Sequence, residues 1–355
     1  MRIVTIVGAR PQFIKCAPLS RVIRKKHEEI LVHTGQHYDT EMSDIFFNDL
    51  AISEPDYNLG IGSGSHGEQT GRMLIEIEKV LVKEQPNLVL VYGDTNSTLA
   101  GALAASKLNI KVAHIEAGLR SFDRSMPEEV NRVMTDHISN LLFCPTETAI
   151  VNLNNEGITD GLCNVGDVMK DALEHNKFIA EKKSMILTDI DVRTKEFILA
   201  TVHRPENTDS IENLSSIVKA FTDTDEIIVF PVHPRTEKYL KEYGLWENLC
   251  QHVKVMRPVG YLDMLKLMNN SKKILTDSGG VQKEAYMLSV PCVTMRKNTE
   301  WVETVKNGWN ILVGSDYEKI MYGLNTFEVF YEAKGNVFGD GNVSEKICNI
   351  LSHIS

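Results

Sequence analysis

The chain has 355 residues and, at roughly 150 per domain, divides into about two domains, each long enough to bury its own core. Hydrophobic residues make up 43% and charged residues 24%, a composition that excludes disordered and membrane-embedded classes. Lys and Arg number 38 against 48 Asp and Glu, for a net charge of −10, and the longest basic run is Arg24-Lys25-Lys26, so no nucleic-acid partner is expected. Cys16, Cys144, Cys163, Cys250, Cys292 and Cys348 form no Cys-x-x-Cys pair and read as buried thiols in a reducing, cytoplasmic setting. The apolar run at 3–7 is too short for a signal-peptide core, and no segment approaches the ~18 apolar residues of a membrane span.

Short Val/Ile/Leu runs alternate with longer helix-like stretches, the pattern of parallel strands covered on both faces. Strands are expected at 3–7, 30–33, 88–92, 112–115, 141–143 and 163–165, and the Ala- and Leu-rich stretch 95–108 reads as a helix. A charged stretch, 171–195, shows no strand. The alternation restarts at 197–201, 226–232, 253–256, 273–276, 292–295 and 310–313. The expected fold is α/β, with two Rossmann-like domains whose parallel sheets face a cleft. The domains are expected at 1–170 and 171–355, with the last helix packing back on the first.

In such sheets ligands sit beyond the carboxyl ends of the strands, so the polar motifs there carry the functional argument. The first strand runs into Gly8-Ala9-Arg10-Pro11-Gln12-Phe13-Ile14-Lys15, a glycine turn with two cations at a helix start, which can hold phosphate. Neither a dinucleotide fingerprint nor a Walker loop is present. The strand at 88–92 ends in Gly93-Asp94-Thr95, that at 112–115 in Glu116-Ala117-Gly118-Leu119-Arg120, and Pro127-Glu128-Glu129 opens a helix carrying Arg132. Asp94, Glu116 and Glu128 are therefore expected around one mouth. Crowded acids have separated pKa values, which suits one to donate and another to accept a proton.

In the second half His203-Arg204 and His233 each follow a strand. Thr276-Asp277-Ser278-Gly279-Gly280-Val281-Gln282-Lys283-Glu284 is a strand end, two glycines and a helix carrying an acid. Backbone amides at that helix start can hold a diphosphate, the Ser278 hydroxyl can add to them, and the Glu284 carboxylate can accept both ribose hydroxyls. A nucleotide-sugar fits this polarity.

Gly8-Ala9-Arg10-Pro11 with Lys15, Thr34-Gly35-Gln36-His37, Gly93-Asp94-Thr95, His114-Ile115-Glu116-Ala117-Gly118-Leu119-Arg120, Pro127-Glu128-Glu129 through Arg132, and Asp277-Ser278-Gly279-Gly280 occur in this order. Together they resemble the motifs of the non-hydrolysing UDP-N-acetylglucosamine 2-epimerases, over the chain from the first strand to about Glu303. The resemblance implies a GT-B-like fold, interconversion of UDP-GlcNAc and UDP-ManNAc, and no metal or nicotinamide cofactor. It also implies the route: anti elimination of UDP across C1 and C2 to give bound 2-acetamidoglucal, then syn re-addition. Asp94, Glu116 and Glu128 become acid/base and ring-stabilising groups, with the one that removes the C2 proton left open. His203 is the fourth catalytic candidate, stabilising charge on the leaving oxygen. Arg10, Lys15 and Arg132 would hold the sugar and the departing diphosphate, and Ser278, Gly279, Gly280 and Glu284 the diphosphate and ribose.

Members of the family are often activated by a second UDP-GlcNAc, for which Gln36, His37, Arg204 and His233 are the candidate contacts. A homodimer without a nucleic-acid or membrane partner is expected. Pro205 stands where a second arginine is common, Trp301-Val302 replaces Arg-Pro, and Met264 stands where an aromatic residue often meets uracil. Those departures bear on base stacking and regulation. Rival readings are a hydrolysing epimerase that releases ManNAc and UDP, a GT-B glycosyltransferase, and a non-catalytic nucleotide-sugar sensor, which could discard the three acids.

Overall fold

The computed structural model describes residues 1–35, 53–329 and 334–353, together with the backbone but not the side chain of Arg10. Thirteen strands are present among these residues: β1 Arg2–Val7, β2 Glu28–His33, β3 Tyr57–Asn58, β4 Leu88–Tyr92, β5 Lys111–Ile115, β6 Leu141–Cys144, β7 Leu162–Asn164, β8 Phe197–Thr201, β9 Ile227–Pro231, β10 Lys254–Met256, β11 Lys273–Thr276, β12 Cys292–Thr294 and β13 Asn310–Leu312. They form two all-parallel sheets, ordered β3-β2-β1-β4-β5-β6-β7 and β10-β9-β8-β11-β12-β13. Both are Rossmann-like, and in each the strand order reverses once, between β1 and β4 in the first and between β8 and β11 in the second. Those reversals are the switch points where such sheets take ligands. The Gly8 turn and Gly93-Asp94 follow the two strands of the first, and His203 and Asp277-Ser278 those of the second.

The chain clusters into two compact units, Met1–Ala172 with Asn336–Ser355, and Leu173–Gly335. The division falls inside the helix Val168–Lys183. The C-terminal helix Val343–Ser352 lies on Arg10–Lys26 of its own unit, where His27 Nε2 meets the Ser352 hydroxyl at 2.9 Å and the chain between Asp340 and Ser344 is pinned by Asp171, whose carboxylate accepts the Val343 and Ser344 amides at 3.1 and 2.7 Å.

The strands are continuous apolar runs because helices cover both faces of each sheet. Val4, Ile6, Val89 and Val91 are fully buried in the first unit, as are Ile198, Ala200, Leu275 and Val293 in the second. Each such Val, Ile or Leu side chain contributes about 1.5–3 kcal/mol by its removal from water. Close packing also fixes Gly8: a Cβ there would lie 2.1 Å from Ser97 Oγ and 2.2 Å from Thr34 Oγ1, which bond each other at 2.8 Å.

Two sequence expectations need correction. The edge strand β3 is two residues long, too short to leave a periodic signal, and the strand expected at 163–165 runs one residue earlier, as Leu162–Asn164. All six cysteines are free, with Cys250 exposed and Cys163 half-buried rather than in the core.

Candidate active site

In the first unit β1 ends in a turn whose two free amides are already used. Gln12, the third residue of the helix Arg10–Lys26, accepts from Gly8 N at 2.8 Å and Ala9 N at 3.0 Å, while its amide nitrogen donates to Tyr92 O and Thr98 Oγ1 at 2.7 and 3.0 Å. Gln12 is buried, so the Gly8 and Ala9 amides of the turn are bonded within the protein. It ties the β1 turn to the end of β4 and to the Thr95-capped helix Asn96–Lys107.

Lys15 lies one turn beyond Gln12 and pairs with Glu116, both residues buried. Glu116 has left-handed backbone (φ 72°), and Gly93 (φ 62°) leaves the space it fills: a Cβ on Gly93 would lie 3.3 Å from Glu116 Oε2 and 3.7 Å from Lys15 Nζ. Asp94, half-buried, pairs with Arg132, whose Nη1 also donates to Glu129 at 2.7 Å. Glu129 accepts the Ser121 and Phe122 amides and the Ser121 hydroxyl, each at 2.9 Å. Burial raises the Glu129 pKa, but these bonds and the Arg132 charge outweigh it and hold the carboxyl below its ordinary range. Glu129 thus fastens the loop before the helix Pro127–Ile138.

Glu128, on the first turn of that helix, is exposed and has no bonding partner among the described residues. Asp94 and Glu116 each face a cation, and Glu128 faces solvent.

In the second unit Asp277, fully buried at the end of β11, organises the loop after β8. Its carboxylate accepts from His203 N at 3.1 and 3.0 Å, Arg204 N at 2.9 Å and Asn207 Nδ2 at 3.0 Å, and meets His203 Nδ1 at 3.2 Å. This fixes the imidazole orientation. Burial lowers the His203 pKa, and nearby Arg204 and His233 add to that against the opposing pull of Asp277. The His233 ring lies 5.9 Å from that of His203, and Arg204 buries an Nε with no bonding partner among the described residues.

The helix Gly279–Met287 starts directly after Ser278, with Glu284 buried in its second turn. Gly280 is open, while Gly279 lies beneath Glu300, whose Oε1 would be 2.1 Å from a Cβ placed there. Arg296 holds that carboxylate at 3.0 Å. An acid of this chain thus sits where a helix start favours an anion. Trp301 is buried with the Lys283 ammonium 4.7 Å from its ring. Sequence reasoning gave no role to Gln12, Arg296 or Glu300, although Glu300 with Thr299 and Glu303 forms part of the resemblance; Gln12 had a local signal as the third residue after an N-cap. Gln36, His37 and the Arg10 side chain lie outside the described residues.

A family model for UDP-N-acetylglucosamine 2-epimerase matches residues 21–352. The chain belongs to the UDP-N-acetylglucosamine 2-epimerase family. A relative in Methanococcus maripaludis, a "UDP-N-acetylglucosamine 2-epimerase homolog", is 63% identical over all of both chains. The UDP-GlcNAc 2-epimerase of Methanocaldococcus jannaschii, solved with UDP-GlcNAc and UDP, superposes with a TM-score of 0.91 at 49% identity, covering 99% of this chain and 100% of that one. A UDP-2,3-diacetamido-2,3-dideoxy-D-glucuronate 2-epimerase of Pseudomonas aeruginosa is 50% identical over all of both chains. No helix among the described residues of this family member is long and apolar enough to cross a membrane, and none of its His, Cys, Asp and Glu residues there cluster in a group of three able to hold a metal ion.

Proposed function

We propose that the protein interconverts UDP-GlcNAc and UDP-ManNAc without releasing the free sugar, the first unit supplying acid/base groups and the second the nucleotide seat. The observation that carries this reading is the pair of strand-end carboxylates, Asp94 and Glu116, each set against a cation in a chain of the epimerase family. C2 of the sugar has no adjacent carbonyl, so its proton leaves only as the C1–O bond breaks and positive charge builds on the ring. A base takes the C2 proton, the C–H pair becomes the C1–C2 double bond, and the C1–O pair departs on the diphosphate. Re-addition of UDP to C1 with protonation of C2 on the opposite face gives the epimer. In this reading Asp94, Glu116 and Glu128 share the proton transfers and ring stabilisation, and Arg10, Lys15 and Arg132 hold the sugar and diphosphate. Ser278, Gly279, Gly280 and Glu284 hold the diphosphate and ribose.

His203 would face the leaving oxygen, and its lowered pKa carries a consequence. The diphosphate's negative charge favours the protonated ring, so binding raises a pKa that burial had lowered, and the protein takes up protons. UDP affinity is then expected to increase as pH falls below the ordinary histidine value of about 6.5. Calorimetry in buffers of different ionisation enthalpy should show more proton uptake for the wild type than for His203→Asn, both sharing the ligand's own titration. Equal uptake would remove His203 from the diphosphate.

The decisive experiment incubates purified protein with UDP-GlcNAc in D₂O, without added metal or nicotinamide, and follows products by NMR. UDP-ManNAc with deuterium at C2 is expected. Free ManNAc as the main product would instead establish the hydrolysing reaction. The Pseudomonas aeruginosa relative supports a second reading, in which the sugar is the 2,3-diacetamido uronate. Turnover of that nucleotide-sugar alone would establish it.

A further inference from the structure

The geometry points to Asp136 as a positioning residue that holds both carboxylate-bearing turns, those of Asp94 and Glu116, in register; the inference rests on the epimerase reading above. Asp136 is buried on the helix Pro127–Ile138. One oxygen meets His114 Nδ1 at 2.7 Å, and the His114 Nε2 on the other side of the ring donates to the Gly93 carbonyl at 2.7 Å. His114 is fully buried in β5, so the ring is a strut between the Asp136 carboxylate and the peptide immediately before Asp94. The second Asp136 oxygen accepts the Gly118 amide at 3.1 Å, two residues after Glu116.

Both turns adopt left-handed backbone at the points of attachment, Gly93 at φ 62°, Glu116 at φ 72° and Gly118 at φ 80°. Glycine reaches this region without steric cost, but at Glu116 such backbone persists only where the surroundings over-determine it. Arg120 completes the set, donating to Asp136 at 2.6 Å and closing a two-pronged pair with Glu156 at 2.7 Å on each prong. Burial raises the Asp136 pKa, but the bonds and charges of His114 and Arg120 outweigh it and hold the carboxyl below its ordinary range. The Gly118 amide and Arg120 donate to one Asp136 oxygen, and the other meets His114 Nδ1 while Nε2 is committed to the Gly93 carbonyl. An amide in its place keeps these partners only by turning its NH2 toward Nδ1 of a neutral ring, so the charge-assisted bonds that fix the two turns are lost.

The test compares wild type, Asp136→Asn, His114→Gln and Glu156→Gln in the D₂O assay, with UDP binding by calorimetry and folding by circular dichroism. The wild type must first produce deuterated UDP-ManNAc, and its failure would count against the epimerase reading alone. Asp136→Asn is expected to lower kcat about tenfold or more, with KM and UDP affinity within about threefold. It should also release a larger share of glycal per turnover, since elimination and re-addition then lose their common alignment. His114→Gln cuts only the Gly93 strut, leaves the Gly118 tether in place, and should act in the same direction. Glu156→Gln, at the solvent side of Arg120, should remain near wild type. Unchanged kcat and glycal share in a folded Asp136→Asn, or parallel losses of kcat and UDP affinity, would overturn the inference. So would failure of both Asp136→Asn and His114→Gln to fold, which would make the network a requirement of the fold.

Discussion

Asp94→Asn and Glu116→Gln should each lower turnover by about 10² or more, the scale of losing a general acid or base, with UDP affinity within about tenfold of wild type. Each change keeps the shape of the side chain and removes its ability to take a proton. Arg132 retains Glu129 when Asp94 is neutralised, so that substitution leaves no guanidinium unpaired. Glu116→Gln is the more disruptive of the two, because Lys15 is buried against it, and a melting curve should accompany the assay. The candidate diphosphate and ribose contacts Ser278, Gly279, Gly280 and Glu284 lie in Leu173–Gly335, outside the unit that carries both acids, so the nucleotide keeps its main anchors and binding and turnover should separate. Proportional loss of UDP binding and turnover in folded variants would make these acids binding or structural groups.

Glu284→Ala should weaken UDP binding by roughly 10- to 150-fold, since a lost charge-assisted contact costs about 1.5–3 kcal/mol and each 1.4 kcal/mol is tenfold. Glu284 lies buried in the second turn of the helix that Gly279 opens, so its side chain has little freedom left to lose when a ligand arrives. Little ordering is left to be done on binding, and the contact should keep its full strength. Calorimetry with UDP checks this. An unchanged dissociation constant would remove Glu284 from the ribose.

Most of the framework was legible because parallel strands buried on both faces are written as unbroken apolar runs, as at Leu88–Tyr92 and Phe197–Thr201. The strand-end motifs were legible for the same reason: once the strands are placed, Gly93-Asp94 and Asp277-Ser278 fall at their carboxyl ends. Side-chain partnership was not legible. His114 and Asp136 are 22 residues apart and sit on a strand and a helix, and no periodicity links them. Glu300 over Gly279 is a contact between a loop and a glycine that has no side chain to announce it. Nor was Gln12 legible as the partner of the Gly8 and Ala9 amides, because a side-chain oxygen that accepts two backbone amides leaves no periodic mark in the sequence.

The helix Val343–Ser352, which covers Arg10–Lys26, bears on how the protein is made. Cys348 packs on the Val22 carbonyl across 326 residues of chain, which a ribosome adding about 5–20 residues per second takes roughly 16–65 s to deliver. The continuous stretch Leu173–Gly335 is complete before that helix is synthesised, whereas the first helix keeps an apolar flank open throughout. The segment made first is thus among the last to be sealed.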